Sequence, residues 1–476
     1  MRLRSFIYLL LIVLAVSGQA RAGSILDLAL ADILKFESTE TSSTLTKLLT
    51  AKENQINCAY TFENAITNNN LTLGSLDSEI DITITDQLPG EQSSLNLNYL
   101  KNNSLAKGNY SEASFDLSSQ ANTIKLNYAT KVNKYFDLAL GVNQYSNADY
   151  DFVANPGYNY GLKFNLRDRL LLGYEVKQDN LGTLARFYYD GDWALYPTFG
   201  KSNTGELNCS LLLGERLNIK FKNQTAATSP QDLAAADQGR LEGLGHATEV
   251  QAKYSLADQV SLQGIIGQAK SDQGVKFYDD GQKFVYLQAD RTSYYSNLDL
   301  SWAVNQLNFS LGVMGSVVDI ASRGKIFAEN IPDILSNLDN VEKAADSNSQ
   351  ILTSGCRFAA RAPINQRLSW SGDLQLLATN LEGDTNIWNT WFFGMIKKLD
   401  QTYAMPFKKA YYSVAKVGLK YQVDQDFEIN YALKQLIPLY VEKAEQADPS
   451  ENISSSPDSG STSGGGIHTL SLAYLF

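Results

Sequence analysis

The 476-residue chain carries a formal net charge of −11 and contains only two histidines and three cysteines. An acidic chain disfavours nucleic-acid binding, because that binding needs Lys and Arg to neutralise phosphates. The scarcity of His and Cys disfavours metal and nucleophile chemistry, so we expect no metal site, no cofactor and no catalytic residue. Cys58, Cys209 and Cys356 are far apart and odd in number, so no disulfide can be assigned and we expect small packing residues.

The first 22 residues have the pattern of a secretory signal peptide. Arg2 and Arg4 precede the apolar stretch 6–16, and the small residues of 20–22 predict cleavage after Ala22. An apolar core of about 11 residues is too short to span a bilayer as a helix. Removing 1–22 also removes three arginines, which changes the net charge from −11 to −14.

Residues 23–52 do not have the pattern of a strand. Apolar residues at helical spacing predict a short amphipathic helix, followed by a Ser/Thr stretch. These residues are Ile25, Leu26, Leu28, Leu30, Ile33 and Leu34. Two interpretations stay open for this segment, a periplasmic N-terminal extension and a small plug inside a barrel.

An alternating hairpin recurs along the rest of the chain. Each copy has a period-two strand, a short turn containing Asp or Asn, and a second period-two strand. The copies are 126–142, 161–176, 252–267, 301–314, 358–374 and 418–433. In the last copy Phe427, Ile429 and Tyr431 share one face, and Glu428 and Asn430 share the other. The pattern predicts an all-β fold, either a soluble sandwich or a membrane barrel.

The C-terminus favours the barrel. Leu470, Leu472, Tyr474 and Phe476 lie on one face of the last strand, and the chain stops on the aromatic residue. This pattern resembles the terminal strand of bacterial outer-membrane β-barrels. The resemblance implies that these four residues form the assembly signal, that the barrel assembly machinery and periplasmic chaperones are partners, and that the protein lies in the bacterial outer membrane.

We therefore expect residues 53–476 to form a transmembrane antiparallel up-and-down β-barrel in contact with outer-membrane lipids. The expected strand number is about 20, with 18 to 22 allowed, and homo-oligomerisation stays open. The expected periplasmic turns lie near 132–135, 167–169, 189–192, 214–216, 257–259, 305–306, 364–367 and 424–426. Longer segments lie outside, and two of them, 331–345 and 386–399, have a helical pattern.

Assigning the apolar face of each strand to lipid places ten basic residues in the lumen. They are Lys125, Lys163, Lys177, Lys220, Lys222, Arg357, Arg361, Lys416, Lys420 and Lys434. The inward acids assigned in the same way are fewer: Asp137, Glu175, Asp299, Asp373 and Glu428. A basic lumen favours anions, so the pattern predicts a porin-like channel for small hydrophilic solutes with a preference for anions.

Other functions remain open. A transporter of lipid or another apolar substrate would use residues 23–52 as its plug, and a surface adhesin or structural barrel would use the acidic loops. A hydrolase at the rim would need a serine beside His246 or His468, and none stands out in the sequence. We therefore expect a protein that is not an enzyme.

Overall fold

The computed structural model describes residues 55–475 apart from several gaps. The gaps are 64–65, 69–70, 76–77, 89–90, 110–113, 148–151, 154–155, 167–168, 190–191, 231–237, 280–281, 328–340, 392–395, 405–406 and 444–465. The signal peptide 1–22, the segment 23–52 and Phe476 lie outside the described residues. No helix within the described ranges is long and apolar enough to cross a bilayer.

The described chain is a succession of strands. The first eleven are β1 (Gln55–Glu63), β2 (Ile66–Asn68), β3 (Leu71–Ser75), β4 (Ser78–Leu88), β5 (Glu91–Asn109), β6 (Ser114–Lys131), β7 (Phe136–Asn147), β8 (Phe152–Val153), β9 (Gly157–Leu166), β10 (Leu170–Tyr189) and β11 (Asp192–Leu213). The others are β12 (Leu217–Pro230), β13 (Gln238–Ala257), β14 (Val260–Asp279), β15 (Gln282–Val304), β16 (Leu307–Phe327), β17 (Val341–Pro363), β18 (Leu368–Trp391), β19 (Ile396–Ala404), β20 (Phe407–Gln422), β21 (Phe427–Lys443) and β22 (Gly466–Leu475).

These strands form one closed antiparallel barrel of 18 strands. The ring runs β1, β4, β5, β6, β7, β9, β10 to β18, β20, β21 and β22, and β22 pairs with β1 to close it. The short strands β2, β3, β8 and β19 pair alongside the ring. Closure pairs each of the 18 ring strands with a neighbour on both sides. The expected all-β barrel is confirmed, with a strand number at the lower end of the expected 18 to 22.

Tight turns join the strands at one end of the barrel, and three of them share one device. Asn133 Oδ1 accepts hydrogen bonds from the backbone N–H groups of Tyr135 at 2.8 Å and Phe136 at 3.0 Å. The side chains of Asn365 and Asp424 accept the equivalent pairs of backbone N–H groups. The predicted role of Asn and Asp in these turns is therefore confirmed, because a short polar side chain can satisfy the backbone of a sharp turn.

The expected turn at 189–192 lies at the wrong end of the barrel. Tyr189 pairs with Asp192, whereas 214–216, at the other end of β11, lies with the short turns. The predicted helix at 386–399 is also wrong, because its described residues lie in β18 and β19. In 331–345, residues 341–345 lie in β17, and 331–340 fall outside the described residues.

The excess in the expected strand number has a geometric cause. A membrane-crossing strand needs about 9–11 residues, but β15 has 23 residues. On its outer face Leu298 and Tyr294 are each 47 % exposed, and further along the same face come Asp290 and Gln288. The wall therefore continues beyond its apolar band with polar residues on the outer face, and one long strand resembles two short ones in sequence.

Candidate functional site: the inner face of the barrel

Burial separates the two faces of the wall. In β9, Tyr158 and Leu162 are 57 % and 56 % exposed, whereas Asn159 between them is 8 % exposed. A closed barrel shields side chains on its concave side, so the shielded polar face is the inner one. Alternate residues of each strand point to opposite faces, and paired residues on neighbouring strands share a face. The register therefore assigns the inner residues of all the main strands.

A ladder of asparagines crosses the inner face from β5 to β9. Asn127 Nδ2 donates to Asn96 Oδ1 at 3.2 Å, Asn159 Nδ2 donates to Asn127 Oδ1 at 3.3 Å, and Asn143 Nδ2 donates to Asn159 Oδ1 at 3.5 Å. Asn96 Nδ2 also donates to Thr83 Oγ1 on β4 at 3.0 Å. Each amide has both a donor and an acceptor, so a chain of them satisfies its own buried polar groups. We call Asn96, Asn127, Asn143 and Asn159 the amide ladder.

Two glycines make room for the amide ladder. A Cβ at Gly141 would lie 2.2 Å from Asn127 Oδ1, and a Cβ at Gly157 would lie 2.3 Å from Asn143 Oδ1. Real Cβ atoms essentially never approach this closely. A residue without a side chain is thus required opposite each of these amides.

Most of the ten basic residues expected in the lumen face an acid on the inner wall. The pairs are Lys125 with Asp179 at 3.3 Å, Lys163 with Asp137 at 3.4 Å, Lys177 with Glu175 at 3.2 Å and Lys222 with Glu206 at 3.1 Å. Arg357 Nε donates to Asp373 Oδ2 at 2.9 Å, and Lys420 pairs with Glu428. Sequence reasoning missed Asp179 and Glu206 as partners. The inner wall therefore carries compensated charge along much of its surface.

The other four basic residues have a different setting. Lys220, Arg361 and Lys416 have no acid at ion-pair distance within the described part of the chain. Lys220 and Arg361 are exposed and lie close to the end with the short turns. Lys416 pairs in register with Lys434 across β20 and β21. Lys220, Arg361 and Lys416 hold the positive charge on which an anion preference would depend.

A compact apolar surface covers part of the opposite inner wall. Its six side chains are no more than 4 % exposed: Ile351, Leu377, Leu381, Tyr412, Val414 and Leu436. The register places Ile351 beside Leu381, Leu377 beside Tyr412, and Val414 beside Leu436. We call these six residues the inner apolar patch.

The closing seam between β1 and β22 has both predicted and unpredicted features. Leu470, Leu472 and Tyr474 are 44 %, 37 % and 47 % exposed on the outer face. Their role as an assembly signal, with Phe476, stays a prediction.

Inside the seam is a polar recess of about 340 Å³ whose lining includes Asn57, Asp81, Thr83, Glu428, Asn430 and Ser471. Sequence reasoning missed this recess, because its lining comes from strands that are far apart in the chain.

The histidines and cysteines all face outward. His246 contacts Thr248 Oγ1 at 3.2 Å, and His468 Nδ1 lies 2.9 Å from Tyr431 Oη. Cys58, Cys209 and Cys356 are unbridged. Across the described residues, no three His, Cys, Asp or Glu side chains are grouped as a metal site would require.

No protein-family model and no curated protein matches the chain. Among solved structures, it is similar to a loop L8 deletion mutant of OmpT, an outer membrane protein of Vibrio cholerae, with 10% identity, 89% of this chain and 97% of that chain covered, and a TM-score of 0.34. It is similar to the FrpB iron transporter of Neisseria meningitidis, with 10% identity, 91% and 83% covered, and a TM-score of 0.37. It is also similar to the ferric enterobactin receptor PfeA, mutant G324V, of Pseudomonas aeruginosa, with 8% identity, 90% and 81% covered, and a TM-score of 0.37.

At such low identities and TM-scores, no function passes from these proteins to this chain. The assignment of the chain to a class of protein rests on the architecture of the barrel. Its ring is closed, exposed apolar side chains cover its outer face, and polar side chains are enclosed within it. Outer-membrane barrels have this arrangement, since lipid contacts the outside and the lumen is polar. The chain is therefore a closed antiparallel β-barrel with the arrangement of an outer-membrane barrel.

Proposed function

We propose that the protein is a channel for passive diffusion of small hydrophilic solutes. The observation that carries the proposal is an 18-strand ring with an enclosed polar face. Barrels of 16–18 strands are wide enough to leave an aqueous channel, whereas transporters of 22 strands have a plugged lumen. This strand number supports diffusion through the lumen.

The inner wall supports a weak rather than a strong preference for anions. The amide ladder is neutral, and six of the ten expected basic residues lie beside an acid. Fixed charge selects ions only where it remains uncompensated near the water column. The preference should therefore depend mainly on Lys220, Arg361 and Lys416.

Planar-bilayer recordings of the purified protein test the channel directly. We expect stepwise conductance in KCl, and we expect proteoliposomes to swell in a small neutral sugar. A protein that inserts into the bilayer as a folded barrel and yet gives neither conductance nor swelling would refute the proposal.

Selectivity is tested by reversing charge on the two faces. In a KCl gradient, Lys220→Glu with Arg361→Glu should move the reversal potential toward cations. The matched control is Arg323→Glu with Lys325→Glu, which reverses two exposed residues on the outer face beyond the apolar band. Equal shifts from the two variants would show that the inner residues do not set the selectivity.

The inner apolar patch favours a second candidate, transport of a lipid or another apolar substrate. Its six aliphatic and aromatic side chains lie on the face that encloses the lumen and are almost fully buried, as a site for an apolar molecule would require. Mass spectrometry of gently purified protein should then detect a stoichiometric lipid, and Leu377→Asn should remove it. Lipid retained equally by that variant would argue against a binding role for the patch.

A further inference from the structure

The polar recess in the closing seam lies on the inner face of four neighbouring strands, β21, β22, β1 and β4. The two middle strands contribute small side chains, namely Ala59, Ser471 and Ala473. The two flanking strands contribute longer polar side chains, namely Glu428, Asn430, Asp81 and Thr83. A volume of about 340 Å³ is at the lower end of the range for small-molecule sites, roughly 300–1,000 Å³. The recess therefore suits a molecule about the size of a monosaccharide.

Hydrogen bonds hold the carboxylates of the recess in fixed positions. Glu428 Oε1 accepts from Asn430 Nδ2 at 2.7 Å. On the opposite side, Asp81 Oδ1 accepts from Thr83 Oγ1 at 3.3 Å and from Asn96 of the amide ladder. A carboxylate offers about four acceptor positions, so Glu428 keeps acceptor capacity for a ligand. Its position is fixed before a ligand arrives, as a specific site requires.

The amide of Asn57 lies in the same recess and makes no side-chain hydrogen bond to a described residue. The register places Asn57 between Ala473 and Thr83. An amide side chain offers two N–H donors and one acceptor oxygen. These groups are therefore available to a ligand in the recess.

The charges of the lining favour hydroxyl groups over a metal ion. Asp81 and Glu428 stand on opposite sides of the recess, because β1 and β22 lie between their strands. Glu428 is also paired with Lys420, and a third acid, Asp426, lies in the turn before β21. Within the described ranges, no three carboxylate, imidazole or thiol groups are placed to hold a metal ion. Separated acceptors with amides between them suit the several hydroxyl groups of one neutral molecule.

The recess is continuous with the amide ladder. One row of inner residues in register runs from Glu428 through Asn57 and Thr83 to Asn96, the first residue of the ladder. Asn96 Nδ2 donates to Thr83 Oγ1 at 3.0 Å and also to Asp81. A solute at the recess therefore meets further neutral donors and acceptors along the same wall.

We propose that the recess binds a small neutral solute with several hydroxyl groups, such as a monosaccharide. Glu428 accepts a hydrogen bond from one hydroxyl group, and the Asn57 amide donates to another oxygen of the solute. A site that hydrogen-bonds hydroxyl groups discriminates against solutes that lack them. The inference deepens the proposed function and rests on it, because a solute reaches the recess only through the open lumen.

Equilibrium dialysis of the folded full-length protein in detergent against radiolabelled D-glucose tests the recess. We expect saturable binding, and Asn57→Ala should weaken it about two- to tenfold, the effect of one lost hydrogen bond. Ala59→Leu should abolish it, because the larger side chain fills the recess. The matched control is Asn208→Ala, which removes an amide from the inner face of β11, away from the recess, and should leave binding unchanged. If Ala59→Leu does not fold, the comparison of Asn57→Ala with Asn208→Ala still decides the result.

Three outcomes would overturn the proposal. They are a folded protein that shows no saturable binding of glucose, equal losses in Asn57→Ala and Asn208→Ala, and binding of the diamine putrescine in place of glucose, since a recess that prefers putrescine selects positive charge. Conductance of the same preparation in KCl separates this proposal from the proposed function. A protein that conducts but does not bind glucose refutes the recess alone, and one that binds glucose but does not conduct refutes diffusion alone.

Discussion

Two walls of the same lumen are stabilised in opposite ways. The wall of β5 to β9 is held by the amide ladder, whose members bond to one another, while the wall of β17 to β21 presents the inner apolar patch. The first wall satisfies its polar groups internally and can face water. The second wall is stabilised by burial of apolar groups, because its six side chains are no more than 4 % exposed. The polarity of the inner face therefore differs between these two parts of the barrel.

The largest expected effect lies on the apolar wall. Leu377→Ala should lower the free energy of unfolding by about 2–5 kcal/mol, because it leaves a cavity in a covered site. The neighbour Leu376 is 46 % exposed on the outer face, and Leu376→Ala should cost less, because lipid tails can fill the space. Urea unfolding in bilayers measures both variants. Equal losses would remove the distinction between a covered inner patch and a lipid-facing surface.

A smaller effect is expected on the amide wall. Gly141→Ala places a Cβ 2.2 Å from Asn127 Oδ1, so Asn127 must leave its position between Asn96 and Asn159. Crowding of this kind costs about 1–3 kcal/mol. The control is Gly173→Ala, also on an inner face, where the nearest atom would be Asn208 Cβ at 3.8 Å. Loss of stability in Gly173→Ala equal to that in Gly141→Ala would show that the ladder is not the cause.

The sequence predicts local features of both walls better than contacts between distant strands. Alternation in 427–433 and the Asn or Asp turns follow from period and turn chemistry, and the structure confirms them. The contact of Lys125 with Asp179 joins β6 to β10, which also pair directly where the short β7 and β9 end. The contact forms because β7 and β9 are short. The period-two pattern does not change where a strand continues beyond the membrane, so the sequence does not show how long each strand is.

The inner apolar patch was missed for a related reason. On β18, Leu376 faces outward and Leu377 faces inward, so a run of apolar residues hides the alternation. A strand that is apolar on both faces loses the period-two signal. Only the register with β17 and β20 separates the two faces.

The smallest expected effect concerns ions rather than stability. Asp137→Asn on the amide wall removes the charge that compensates Lys163, whose Nζ lies 3.4 Å from Asp137 Oδ2. The uncompensated lysine should raise the local concentration of anions, so the reversal potential in a KCl gradient should move slightly toward anions. The control is Asp319→Asn, which neutralises an exposed acid on the outer face and should leave the potential unchanged. An equal shift of the reversal potential in both variants would show that the effect does not arise from the inner face of the wall that carries the amide ladder.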